Sequence, residues 1–478
     1  WTDDIVKVTG NRWMQLASCR NCVLRGRPMF SSGRLLNFLM LIADDVVLAG
    51  VELEQTVSGL GDGTRGGTRL FSCAAGRALF VPLSLCRRDA RFRDTPPLDH
   101  VDTHSDQTQP DCPVVTGVVP PLNSLGDLTG KNKGIQGHHN SCYLDATLFA
   151  MFTFTSVFDA LLYRPQEEED SPHYTEVQRV LREEIVNPLR KHGYVRADRV
   201  MKLRTLLEKL SDVPGLTSEE KDPEEFLNGL VAQLLRAEPF LKLSSGQESY
   251  CYQLFVEKDE KNPLPTVQQL LEQSFATSGV KLSEVPAALI IQMPRFGKQY
   301  KLYPRLLPSP VLDVTDLIEG LPRQCTVCGE LARFECSACA GLCGSGLEST
   351  AFCRACLRTA HATRPEEFTN ILESCPVPRV YMELFAVLCI ETSHYVAFVK
   401  AGVGHDAPWC FFDSMADRKG ERNGYNIPEI VCLDQLSSWL SEEGARAAAE
   451  RAPTPHARRL FADAYMCFYR SPDVAMYR

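Results

Sequence analysis

Gly134-Ile135-Gln136-Gly137-His138-His139-Asn140-Ser141-Cys142-Tyr143-Leu144-Asp145 passes from a polar, glycine-containing loop into a segment where Leu144, Leu148, Met151 and Phe152 recur at helical spacing. Cys142 therefore falls at the predicted N-terminus of a helix. Unpaired N–H groups and the positive end of the helix dipole favour a thiolate over a thiol there. An isolated cysteine reads more readily as a small buried core residue than as a nucleophile. Its chemistry thus depends on partners elsewhere in the chain.

The partners stand far downstream. Glu391-Thr392-Ser393-His394-Tyr395-Val396-Ala397-Phe398-Val399 opens a mostly apolar strand with His394, Gly402-Val403-Gly404-His405 supplies a turn, and Trp409-Cys410-Phe411-Phe412-Asp413 returns as the next strand. Symmetric pairing about residues 403 and 404 would set Asp413 directly opposite His394. Cysteine attack on a carbonyl needs a base within hydrogen-bond reach, held in its tautomer by a third group. Cys142, His394 and Asp413 are the residues expected in those roles.

Composition narrows the class. The chain has 478 residues, 44% apolar and 23% charged, which describes a globular protein of two to four domains. A net charge of -9 gives no electrostatic case for nucleic acid, which calls for a clustered basic face. No apolar run is long enough for a membrane span, and Asp44 and Asp45 interrupt the stretch from Phe38 to Val47. The chain opens on Trp1, as expected of a fragment or a processed product. Of 19 cysteines, eight lie between Cys325 and Cys375. Clustered CxxC pairs without a secretory signal read as metal ligands in a reducing compartment, so a cytoplasmic location is expected.

Along the chain, residues 1–92 read as a small β domain: Val46 to Leu53 is a strand, Gly59 to Gly63 a tight turn, and Leu79 to Leu83 a later strand. Cys19 and Cys22 form a lone CxxC pair read as structural thiols. Residues 93–129, rich in Pro, Asp, Thr and Ser, read as a linker. Helices are predicted at Glu176–Leu189, Arg199–Leu210 and Pro223–Leu235, the last with Asp222 as N-cap, Pro223 at the first helical position and Glu225 closing a capping box. Strand-rich sequence follows at Leu289–Met293, Leu384–Ile390, Tyr395–Val399 and Trp409–Phe412. Helices first and strands later predict an α+β domain over residues 130–478.

Two resemblances add to this reading. Gly50-Val51-Glu52-Leu53, Gly59 to Gly63, Gly66, Arg69, Phe71 and Ala78 to Val81 resemble the spine of a CAP-Gly domain, a family that binds acidic tails and extended peptides. Leu60 and Gly61 replace the lysine and asparagine of that family's binding loop, so the resemblance implies a kept fold with a changed peptide or adaptor partner. In the second half, six segments appear in the order of the boxes of ubiquitin-specific proteases. They are Gly137 to Tyr143, Asp222 to Leu227, Leu289 to Phe296, Met382 to Val387, Ser393 to Val396 and Ala464 to Tyr469. The resemblance implies a papain-like fold with thumb and palm, a deubiquitinase activity, and ubiquitin and polyubiquitin as partners. The ubiquitin tail would thread into a cleft whose narrowness suits its two terminal glycines. The wording around Cys142, Met293 to Phe296 and Phe412 to Asp417 is similar to one branch of that family, which favours linear and extended lysine-linked chains and restrains NF-κB signalling. The family commonly carries an oxyanion-binding Asn five residues before the nucleophile. Here that position is Gly137, leaving Asn140, Gln136 and the Cys142 backbone N–H as possible donors. A silent ubiquitin-binding scaffold and a zinc-binding adaptor are the alternatives; the intact trio argues against the first and the ordered boxes against the second.

Between those boxes, residues 322–375 hold Cys325-x2-Cys328, Cys336-x2-Cys339, Cys353-x2-Cys356 and His361. Paired thiolates can occupy two corners of a tetrahedron, and a segment this short would depend on a structural zinc to fold. It resembles a B-box. That resemblance implies a first site of Cys325, Cys328, Cys353 and Cys356, and a second of Cys336, Cys339 and His361. The fourth ligand of the second is left open among Glu366, Glu367, Cys343, Cys375 and water.

Overall fold

The computed structural model describes residues 110–296, 300–336, 339, 346–362, 379–404, 406–422, 425–441, 443–445, 447 and 454–474, with short strand and turn segments between residues 13 and 88. Two compact units are present, one formed mainly by residues 1–104 and the other by the rest of the chain.

In the first unit, strands Val46–Glu52 and Ala78–Pro82 pair antiparallel within a four-stranded sheet. Gly59 takes a left-handed φ of 90°, as the predicted turn requires. Gly61 bridges to Ala78, and its carbonyl accepts the Gly76, Arg77 and Ala78 N–H groups. Cys22 lies in a short strand, Cys22–Leu24. Cys19, Leu53, Gly63, Gly66, Phe71 and Leu83 lie outside the described residues.

The second unit is built on a sheet of nine strands among the described residues. Its long members are β1 (Ala288–Gln292), β2 (Tyr381–Glu391), β3 (His394–Lys400), β4 (Trp409–Arg422), β5 (Tyr425–Leu433) and β6 (Ala464–Arg470). Their order is β1-β6-β2-β3-β4-β5. Both faces are covered. Tyr395, Ala397 and Val399 of β3 enter one core and Val396 and Phe398 the other. This is why the strands read as unbroken apolar runs rather than alternating ones. A bulge in β2, between Leu384 and Ala386, puts Phe385 and Ala386 on the same side.

Three helices matter for the site: α1 (Cys142–Phe152), α2 (Ala197–Leu210) and α3 (Pro223–Leu227). All eleven residues of α1 are buried, so it is a core helix packed on β2, β3 and α3 rather than an amphipathic surface one. The box predicted before α3 forms: the Asp222 carboxylate accepts the Glu224 N–H at 2.9 Å and Glu225 accepts the Asp222 N–H at 3.0 Å. The helix then continues with wider, π-type winding over Asn228–Leu234. The predicted Glu176–Leu189 helix is observed from Tyr174 to His192, its middle turn wound the same way.

The expected linker ends well before residue 129. Cys112, Val115, Leu125 and Leu128 are all below 9% exposed. Val115 N–H donates to Glu183 O, Asn187 Nδ2 donates to Val115 O and Gly117 O, and Arg199 reaches Cys112 O. Arg190, buried against Asp159 at 2.6 Å, donates to Val119 O. Proline-rich sequence here is an extended strap. Its backbone groups are satisfied by side chains and single backbone carbonyls of neighbouring segments rather than by a ladder, which leaves no periodicity to read.

Candidate active site

Cys142 is the first residue of α1, with Ser141 as N-cap, so its N–H has no intrahelical acceptor. The thiol is 4% exposed. It touches β3 through the backbone: Tyr395 N–H donates to Sγ at 3.4 Å and Sγ lies 3.7 Å from Ser393 O.

His394 begins β3 directly after a tight turn in which Thr392 takes a left-handed φ of 55°. A β-branched residue there is strained. Neighbours pin the hairpin: Arg459 pairs with Glu391 and donates to His394 O at 2.9 Å, and Arg295 donates to Ile390 O at 2.9 Å. The imidazole Nε2 lies 2.8 Å from Asp413 Oδ1. A carboxylate can only accept, so Nε2 carries the proton and Nδ1 is left for Cys142. Burial alone would lower the His394 pKa, but the Asp413 hydrogen bond and the adjacent Cys142 more than offset it and push it up to about 9.

The register that brings Asp413 to His394 differs from the expected one. Observed partners are Ala397 with Phe412, Phe398 with Phe411, Val399 with Cys410 and Lys400 with Trp409. Asp413 is therefore displaced by two residues from the position opposite His394 and reaches it diagonally. The hairpin closes where Ala401 N–H donates to Pro408 O, with Gly402 and Gly404 at positive φ, so the turn is centred one residue later than symmetry about 403 and 404 assumed. A shift of two keeps side-chain parity, and the carboxylate stays on the histidine's face.

Of the residues expected to serve an oxyanion, Gln136 is locked into the fold. Its Nε2 donates to Asn426 O at 3.2 Å and its Oε1 accepts the Ala197 N–H at 3.2 Å. Asn140 Nδ2 donates to Ser218 O at 3.0 Å. One amide hydrogen of each is thus committed. Gly137 has a steric reason. A Cβ there would lie 2.7 Å from Met415 Cγ and 2.7 Å from Ser414 O, while Gly137 N–H donates to that carbonyl. No side chain fits against the strand that carries Asp413.

Beside Ser393 and Tyr395 opens a cleft of about 250 Å³, lined by Glu220, Lys221, Asp222, Glu225, Arg295, Ile390 and Tyr465. The Tyr395 and Tyr465 hydroxyls donate to Asp222 Oδ2 at 3.1 and 2.5 Å. Burial raises the Asp222 carboxyl pKa despite these bonds.

A family model described as "Ubiquitin carboxyl-terminal hydrolase" matches residues 133–469, a span that holds the whole arrangement. The chain belongs to that family. It is 48% identical over 461 residues to "Ubiquitin carboxyl-terminal hydrolase CYLD" of Homo sapiens, and 47% identical over 461 residues to the proteins so named in Bos taurus and Mus musculus. Each alignment covers 90% of this chain and 48% of the relative, so the chain spans about half the length of the curated relatives it matches. The family explains the mixed helix and sheet fold around the site.

In the cysteine-rich insertion, the sulfurs of Cys325, Cys328, Cys353 and Cys356 lie within 4.8 Å of one another and could hold a metal ion. Burial acts to raise the Cys325 thiol pKa, yet backbone amides of Cys353, Cys328 and Val327 outweigh it and bring the pKa below the ordinary thiol value. Burial shifts Cys328 and Cys356 upward, and for Cys356 the neighbouring sulfurs add to the shift. Sulfurs that crowd one another, one of them held toward its ionised form by amides, suit a thiophilic cation. Among the described residues, Cys336 and Cys339 join no such group. Residues 363–369, Cys343, Cys375 and the side chain of His361 lie outside the described residues. No helix among the described residues is long and apolar enough to cross a membrane.

Sequence reasoning missed Ser141, Asp145, Arg204, Ser414 and Arg459. Asp145 alone carried a signal, as the one charged residue in Cys142-Tyr143-Leu144-Asp145-Ala146-Thr147-Leu148-Phe149-Ala150-Met151-Phe152.

Proposed function

We propose that the chain is a thiol-dependent deubiquitinase in which Cys142 is the nucleophile, His394 the general base and acid, and Asp413 the group that orients it. The Cys142 thiolate attacks the carbonyl carbon of ubiquitin's terminal glycine. The oxyanion that forms is bound by the Cys142 N–H and the uncommitted hydrogen of the Asn140 amide. Nδ1–H of the His394 imidazolium gives its proton to the leaving amine as the amide bond breaks, leaving a thioester. Neutral His394 then takes a proton from water, whose oxygen displaces the thiolate. The observation that carries the reading is the His394 ring held at 2.8 Å from Asp413 while facing Cys142.

The cleft beside Ser393 takes the extended tail, and a lining of three carboxylates against two basic groups suits a cationic segment. By resemblance, linear and extended lysine-linked chains are the favoured substrates, and restraint of NF-κB signalling in the cytoplasm is the role. Zinc at Cys325, Cys328, Cys353 and Cys356 holds the B-box-like insertion, and the first unit, CAP-Gly-like, takes a peptide or adaptor. Incubation with ubiquitin chains of each linkage, beside Cys142→Ala, tests the proposal. The variant should bind ubiquitin and cleave nothing; turnover near that of the unaltered protein would refute it.

A further inference from the structure

The turn His138–Ser141, which delivers Cys142 to its helix, is held from inside the protein by side chains that touch neither the thiol nor the cleft. His138 is 5% exposed, and its peptide is gripped on both sides: its N–H donates to Ser141 Oγ at 3.0 Å and its carbonyl accepts Arg204 Nη1 at 3.1 Å. Ser141 Oγ in turn donates to Asp145 Oδ2 at 2.6 Å. Asp145 is 0% exposed, and its second oxygen faces the hydroxyl of Ser414, the residue after Asp413; neither of those two atoms has another partner. Arg204, 1% exposed, is anchored by Nε to Leu216 O at 2.6 Å, the carbonyl that also accepts the Tyr143 hydroxyl at 3.2 Å. Inside the turn, His139 takes a left-handed φ of 52° that the surroundings must enforce.

Burying two ionisable groups here is costly unless they serve something. Burial pushes the Asp145 carboxyl pKa up to about 7, even with the Ser141 and Ser414 hydroxyls and the charges of Arg204 and His394 acting against the shift. Hydrophobic residues would fill the same space without that penalty. What these two groups uniquely do is tie one strained turn to α2 through Arg204 and to the segment after Asp413 through Asp145 and Ser414.

We propose that Asp145 and Arg204 are positioning residues for the reaction, fixing the His138–Ser141 turn so that Cys142 and its N–H meet the His394 ring and the scissile carbonyl in register. This rests on the deubiquitinase reading above. A displacement of the nucleophile by about 1 Å can cost ~100-fold in turnover.

The test uses the full chain with Asp145→Leu, Asp145→Asn and Arg204→Met. It measures kcat and KM on a fluorogenic ubiquitin C-terminal amide, the thermal midpoint, and the rate at which iodoacetamide alkylates Cys142, followed by mass spectrometry. Asp145→Leu and Arg204→Met should lower kcat by ~100-fold with KM within about threefold, and slow alkylation by about tenfold. Asp145→Asn, whose amide oxygen still accepts from Ser141, should recover most of the loss. A folded Asp145→Leu with kcat within about threefold of the unaltered protein overturns the proposal, as does a parallel loss of kcat and ubiquitin affinity. If Asp145→Leu does not fold, Ser141→Ala cuts the same tie while Asp145 keeps its contact with Ser414; a kcat-selective loss supports the proposal, and unchanged kcat overturns it. If the unaltered protein turns over no substrate, the deubiquitinase reading has failed, and the alkylation rates still decide whether the tie positions the thiol.

Discussion

Replacing Asp413 by Asn removes a charge from beside His394 and little else. Asp413 Oδ1 also accepts the Met415 N–H at 2.8 Å, which keeps the amide oxygen of an Asn turned toward the ring, so the Nε2–H tautomer survives. What is lost is support for the imidazolium. The rise of the His394 pKa from its ordinary 6.5 to about 9 is worth about 3 kcal/mol at about 1.4 kcal/mol per unit. Asp413 and Cys142 share that sum against burial, Asp413 being the larger contributor. Asp413→Asn should therefore move the alkaline limb of kcat/KM down by roughly one to two pH units and cost about 10- to 100-fold on the alkaline side. Stability should follow the same linkage. A histidine whose folded pKa is raised adds stability fully present below its unfolded value of 6.5 and lost as pH rises through about 9. The variant should thus lose more thermal stability near pH 6 than near pH 10, the two ends of the window set by those values. The assay is kcat/KM on a fluorogenic ubiquitin amide across that range, with melting curves at its ends. An unmoved alkaline limb, or an equal loss of stability at both ends, would refute the reasoning.

Other outcomes follow from the same contacts. A chain beginning at Ser105 should cleave as the full chain does, whereas one beginning at Gly117 should melt lower. The shorter chain loses the buried Cys112 and Val115 and their hydrogen bonds, worth on the order of 2–4 kcal/mol together; equal melting curves would contradict this. Gly137→Asn, which restores the common family residue, should destabilise by about 1–3 kcal/mol through overpacking against Met415 and Ser414 and should not raise kcat; a faster, equally stable variant would show that the strand gives way. Metal analysis after mild chelation should find about one zinc retained per chain, and Cys325→Ser should disrupt the insertion more than Cys336→Ser. Two equally tight zincs would mean that Cys336 and Cys339 complete a site with donors outside the described residues.

What could be read from the sequence was what is local. Cys142 at a helix start and the Asp222–Glu225 box depend on residues within one turn of each other, and both were legible. The β3–β4 register was not, because the loop between the strands fixes it through the Ala401–Pro408 hydrogen bond, and loops of this length permit several closures. Gly137 looked like a missing donor, since what excludes a side chain there is Ser414, remote in the chain. Residues 112–128 looked like linker because their partners are Asn187, Arg190 and Arg199, and nothing in a run of prolines announces a side chain that will satisfy its carbonyls.

The two-residue displacement in the β3–β4 hairpin bears on which insertions and deletions the loop at residues 402–407 can survive. Side chains alternate along β4, so gaining or losing a single residue there would turn the Asp413 carboxylate to the opposite face of the sheet and leave His394 beside a backbone instead. Gaining or losing a pair keeps the face but slides the carboxylate by about 7 Å along the strand, too far for a hydrogen bond to the ring. Length variation in this loop among functional relatives should therefore be absorbed by changes in turn conformation that preserve the Ala401–Pro408 closure, and the exposed Val403 at its tip is where a tag could be inserted as a self-contained excursion without re-phasing the strand behind it.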